Sequence, residues 1–147
     1  MIGTTFDVEV IAAGAAETQA FHDNATIFQP GERGDCAYIV KTGRVEMREK
    51  GRAVELLAPG EIFGELALLD HEPRTASAVA CGRVEVIPID RAMFDVLIRD
   101  DSDFALTIVH LLARSLRATM KVLETCVEDL ATAGGELGVE PGARQAG

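Results

Sequence analysis

Between Glu17 and about Ile89 the chain alternates short apolar runs with glycine-centred polar breaks. Thr26-Ile27-Phe28, Cys36 to Val40, Val45-Glu46-Met47, Val54 to Leu57, Ala76 to Ala80 and Val84 to Ile87 have the length and β-branched content of strands. Turn chemistry separates them at Pro30-Gly31-Glu32, Lys41-Thr42-Gly43-Arg44, Lys50-Gly51, Pro59-Gly60-Glu61 and Cys81-Gly82. Many short antiparallel strands joined in this way predict a β-roll or jelly roll. The two Pro-Gly-Glu turns echo each other, although three residues do not make a repeat.

After Asp90 the period changes. Met93, Phe94, Leu97 and Ile98 fall at helical spacing behind Asp90, a natural N-cap. Asp100-Asp101-Ser102-Asp103 then offers caps for a longer helix, in which Phe104, Ile108, Leu111, Leu112, Leu116, Val122, Leu123, Cys126 and Leu130 recur at steps of three and four. That stripe is longer than one small sheet can cover, so a homodimer through the long C-terminal helix is expected. The expected fold class is mainly β with helices (α+β): a roll over about 17–89 followed by a short and a long helix over about 90–132. Residues 1–16 stay open, because Val8-Glu9-Val10-Ile11 suits either a strand or a helix. Residues 133–147, rich in Gly and Ala and holding Pro141, read as a disordered tail.

A chain of 147 residues that is 48% hydrophobic is expected to fold as one domain. Its 14 Lys+Arg against 24 Asp+Glu give a net charge of -10, which repels polyanions and argues against a broad nucleic-acid face. An anionic ligand would have to be held by a few convergent donors. Cys36, Cys81 and Cys126 form no C-x-x-C pair, which fits a reducing cytoplasm better than a disulfide framework. Neither a basic leader nor an apolar run of spanning length stands out, so no membrane partner is expected. His22, His71 and His110 are dispersed, and no nucleophile elbow or carboxylate pairing stands out, so neither a metal nor an enzyme is expected.

The chemistry concentrates in Phe63-Gly64-Glu65-Leu66-Ala67-Leu68-Leu69 and Pro73-Arg74-Thr75-Ala76. Gly64 permits close backbone approach, and a helical turn beginning there would present free N–H groups to an anion. Arg74 is a planar fork of donors suited to phosphate oxygens, whereas an ionised Glu65 only accepts and suits a sugar hydroxyl. A ribose cyclic phosphate needs both ends. Phe63, Leu68 and Leu69 are expected to pack around this segment, and Thr75 to lie in a strand.

This segment resembles the phosphate-binding cassette of cyclic nucleotide-binding domains, specifically the effector domain of the catabolite activator type without its helix-turn-helix. Ile27-Phe28-Gln29-Pro30-Gly31-Glu32 and Tyr38-Ile39-Val40-Lys41-Thr42-Gly43-Arg44-Val45 extend the resemblance, which covers about Glu17 to Leu130. It implies a ligand, cAMP or cGMP, held by Phe63, Gly64, Glu65, Leu66, Ala67, Arg74, Thr75 and Ala76. Backbone N–H groups of residues 64–66 would meet phosphate or ribose, Glu65 the 2′-hydroxyl, and Arg74 the phosphate. Thr75 in such domains can also meet guanine, and Thr119 falls near the adenine contact, although hydroxyls at such helix positions more often bond back to the preceding turn. The resemblance further implies movement at Arg99 to Asp103 on ligand binding. With no basic recognition helix after the long helix, output through an unidentified protein effector is expected instead of direct DNA contact. Two other readings stay open: a ligand-free interaction module of the same fold, and an atypical transcription regulator that reaches DNA only with another protein.

Overall fold

The computed structural model describes residues 6–14 and 17–136. In chain order the elements are α1 (Val8–Gly14), β1 (Gln19–Phe21), β2 (Thr26–Phe28), β3 (Cys36–Glu49), β4 (Arg52–Leu57), β5 (Ile62–Phe63), α2 (Glu65–Asp70), β6 (Ser77–Asp90), α3 (Arg91–Asp100) and α4 (Ser102–Glu136). The strands form one antiparallel sheet in the order β1-β6-β3-β4, with β2 also on β6 and β5 on β3. The architecture is the antiparallel roll followed by helices that the hydrophobic pattern predicts.

Two of the expected turns are not turns. Lys41-Thr42-Gly43-Arg44 and Cys81-Gly82 lie inside β3 and β6, which run 14 residues each and pair along their length. The register shifts between Val40 and Thr42 and again between Thr42 and Arg44. Gly43 has φ +85°, and a Cβ there would sit 2.4 Å from the Arg83 carbonyl oxygen. The glycines therefore bend paired strands as bulges do, curling the sheet without reversing it. Lys50-Gly51, by contrast, is a true reversal between β3 and β4, with positive φ at both residues.

The two Pro-Gly-Glu turns are built alike. Glu32 accepts the Gln29 backbone N–H at 2.7 Å, and Glu61 accepts that of Ala58 at 2.8 Å. Gly31 and Gly60 carry φ of 88° and 90°. A left-handed glycine followed by a carboxylate that closes the turn is thus used twice.

The core of the roll holds Phe28, Val40, Val45, Phe63, Val84 and Val86, all at or below 6% exposure. Two short elements, β1 and β5, give too brief an apolar run to stand out in the sequence. Residues 8–14, open on sequence grounds, are helical as α1, and Ile11 is buried. Asp90 caps α3 by accepting the Met93 N–H at 2.8 Å, and Asp101 accepts that of Phe104 at 3.1 Å. The chain divides into a unit ending at Ile108, which contains the roll, α3 and the first turns of α4, and a unit beginning at Val109. In the first unit Phe94 and Phe104 pack edge to face at 5.7 Å. In the second, Leu116, Leu123 and Leu130 are exposed. The helix runs to Glu136, four residues beyond its expected end, and the rest of the expected tail lies outside the described residues.

Candidate functional site

Gly64 joins β5 to α2 with a left-handed φ of 78°, and a Cβ there would lie 2.7 Å from Arg74 Nη1 and 3.2 Å from the Phe28 ring. Glycine is therefore required twice over, by backbone and by space. The chain then turns through residues 71–76 and is tied to the first Pro-Gly-Glu turn. Gly31 N–H donates to the Arg74 carbonyl and Arg74 N–H to that of Glu32, both at 2.8 Å.

These contacts bury Arg74 to 6% exposure. Nη1 donates to the Gly64 carbonyl at 2.7 Å and Nη2 to the Cys36 carbonyl at 2.6 Å. The guanidinium carbon stands 4.1 Å over the Phe28 ring and 5.9 Å from that of Tyr38. Tyr38 in turn stacks on Phe63 at 5.3 Å. Nε is sealed from solvent without an acceptor. A buried cation with one idle donor costs free energy, about 1–3 kcal/mol for the unmade hydrogen bond, which an incoming anion would relieve.

Glu65, the first residue of α2, is half-buried. Burial pushes its carboxyl above the usual range and the Glu55 charge adds to this, against a backbone hydrogen bond and Arg74. The ion pairs of the described residues do not include Glu65 with Arg74. The two side chains therefore do not form a surface ion pair. Glu55 escaped the sequence reading. Its only signal was strand alternation: it pairs with Met47 two residues from Val45↔Leu57, on the face that carries the core.

Of the other sequence-derived residues, Phe63, Ala67 and Ala76 are buried, while Leu66 and Thr75 are exposed. Phe63 packs in the core against Phe28 and Tyr38 and presents almost no side-chain surface to a ligand. Leu68 packs inward as expected, but Leu69 is 39% exposed because α2 ends one residue later. β6 begins at Ser77, so Thr75 stands in the loop before the strand expected to hold it. Thr119 belongs to the second unit and donates to the Ser115 carbonyl at 2.9 Å. A cavity of about 290 Å³ is lined by Ala67, Leu68 and Pro73 of this segment with Arg33, Asp35, His71, Glu72 and Arg91, among others, and includes neither Glu65 nor Arg74.

A family profile described as "Cyclic nucleotide-binding domain" matches residues 18–101. The chain belongs to the cyclic nucleotide-binding domain family. The cyclic AMP receptor protein of Thermus thermophilus is 35% identical over 112 residues, covering 73% of this chain and 52% of its own length. A cGMP-dependent protein kinase of Eimeria tenella is 36% identical over 85 residues, which are 58% of this chain and 8% of the kinase. The crystal structure of the Thermus thermophilus catabolite activator protein superposes with a TM-score of 0.74 at 33% identity, covering 82% of this chain and 58% of that one. The chain thus spans about half the length of the receptor protein. Within this cyclic nucleotide-binding domain, no group of three or more His, Cys, Asp or Glu among the described residues could hold a metal ion. No described helix is long and apolar enough to cross a membrane.

Proposed function

We propose that this domain is a regulatory sensor that binds a cyclic nucleotide monophosphate, cAMP or cGMP, and transmits its occupancy to a protein effector. The observation that carries the reading is Arg74, a buried guanidinium with an idle Nε–H at the end of the Gly64–Ala76 segment. A cation so placed in an acidic protein is a costly feature unless an anion completes it. Arg74 supplies charge to the cyclic phosphate, and Glu65 accepts the ribose 2′-hydroxyl. Gly64 and Leu66 contribute backbone N–H groups, with Thr75 and Ala76 closing the far side. Thr75 is the residue that admits guanine. Binding gains free energy as the ligand gives the desolvated Arg74 Nε–H an acceptor, and the same free energy biases the short α3–α4 joint at Asp101.

The long helix supports a homodimer. Val109, Leu112, Leu116, Thr119, Leu123, Cys126 and Leu130 follow alternating steps of three and four, the seam of a two-stranded coil. Thr119 lies in that seam.

Calorimetric titration of nucleotide-stripped protein with cAMP and with cGMP tests the sensor. Arg74→Lys keeps the charge but loses the fork, and Glu65→Gln keeps the shape but loses the charged acceptor. Each should weaken binding about tenfold or more. Because Arg74 also holds two backbone carbonyls, the melting temperature of each variant is measured alongside. No heat from wild-type protein with either nucleotide would favour the ligand-free interaction module.

A further inference from the structure

Arg74 is held before any ligand arrives, and an aromatic ring lies against its guanidinium. The Phe28 ring lies under the guanidinium at 4.1 Å and is itself wedged by Tyr38 and Phe63 at 6.2 and 6.0 Å. Two carbonyls fix the Nη ends. Glycine at positions 34 and 64 leaves the guanidinium room, since a Cβ at either would approach it within 3.0 Å. Two carbonyl bonds and a flexible side-chain stem leave the plane some freedom to tilt; an aromatic ring packed against the cation restricts that tilt and attracts the charge.

We infer that Phe28 is a positioning residue for the anion site: it fixes the plane of Arg74, so that the guanidinium meets the ligand's phosphate in one orientation and with its Nε–H uncommitted. This rests on the sensor reading above and names the group that sets the strength and stereochemistry of its phosphate contact. A fixed donor distinguishes the two exocyclic oxygens of a cyclic phosphate, whereas a rocking one averages them. Phe28 touches no ligand in this scheme and acts through Arg74.

The experiment uses full-length protein in three forms: wild type, Phe28→Leu, and a form with pentafluorophenylalanine at position 28. The last keeps the packing shape while inverting the electrostatics of the ring face. The Arg74 Nε–H resonance is followed by nitrogen-edited NMR without ligand. cAMP and its Sp and Rp phosphorothioate diastereomers are then titrated. In wild type the Nε–H should be protected from exchange and shifted upfield by the ring, and the diastereomers should bind unequally. Both variants should lose about tenfold in cAMP affinity, and their Sp/Rp ratio should move toward one. The Phe28→Leu resonance should broaden by exchange. Unchanged affinity and Sp/Rp ratio in the fluorinated form would reduce Phe28 to packing and overturn the inference. An Nε–H that stays protected in Phe28→Leu would overturn it as well. A protected, upfield Nε–H in wild-type protein that binds neither nucleotide would sink the sensor reading but uphold the ring as the holder of Arg74.

Discussion

Glu65 carries a conflict between folding and function. Burial, with the Glu55 charge behind it, disfavours its ionised form, so its folded pKa lies above the unfolded one. The penalty is present above the raised pKa and is relieved as pH falls through it toward the ordinary carboxylate range. Glu65→Gln should therefore raise the melting temperature at pH 7, and the gain should vanish in acid; differential scanning calorimetry across pH checks this. In the proposed site ligand binding runs the other way, because a 2′-hydroxyl donating to the carboxylate would hold it ionised. Affinity should fall as pH drops through the raised pKa, and Glu55→Gln should move that fall to lower pH. Gly34 makes a second residue-scale case. A Cβ there would lie 2.3 Å from that of Ala67 and 2.9 Å from Arg74 Cζ. Neither neighbour has room to yield, so Gly34→Ala should cost about 1–3 kcal/mol in denaturant unfolding and weaken nucleotide binding in parallel.

At the scale of elements, the legible parts were those whose cause is local. Asp90 and Asp101 announced α3 and α4 because a cap needs only a side chain and the next turn's N–H groups. Gly64-Glu65 and Pro73-Arg74 announced the cassette because both halves lie within a dozen residues. Glu55 was hidden because its relation to Glu65 depends on the register of β3 and β4, and Phe28 because its partner is 46 positions away. Gly43 misled in an instructive way: a left-handed glycine serves a turn and a bulge equally, and only pairing with β6 decides between them. Its role can be tested. Gly43→Ala would impose positive φ on a side chain and drive its Cβ to 2.4 Å from the Arg83 carbonyl, which is backbone and fixed by the sheet. A loss of about 2 kcal/mol or more in urea unfolding is expected, against a near-neutral effect for a substitution at exposed Gln19.

At the scale of the molecule, the second unit poses the question of what covers α4. Val109, Leu116, Leu123 and Leu130 are 61–72% exposed, yet they occupy successive a positions of an unbroken heptad pattern. Burying such a seam against an identical helix gains roughly 1.5–3 kcal/mol for each large side chain, enough to outweigh association costs once several are enclosed. Light scattering should therefore report a dimer, and Leu116→Glu with Leu123→Glu should convert it to a monomer whose roll melts as before. Orientation follows from Cys126, an exposed free thiol at a d position. In a parallel, in-register pair the two Cys126 side chains face each other, whereas an antiparallel pair would separate them. In a Cys81→Ser background, glutathione disulfide should therefore yield an interchain Cys126–Cys126 bond, seen as a dimer band on non-reducing gels and abolished by Cys126→Ser. A light-scattering dimer without that bond would indicate antiparallel helices.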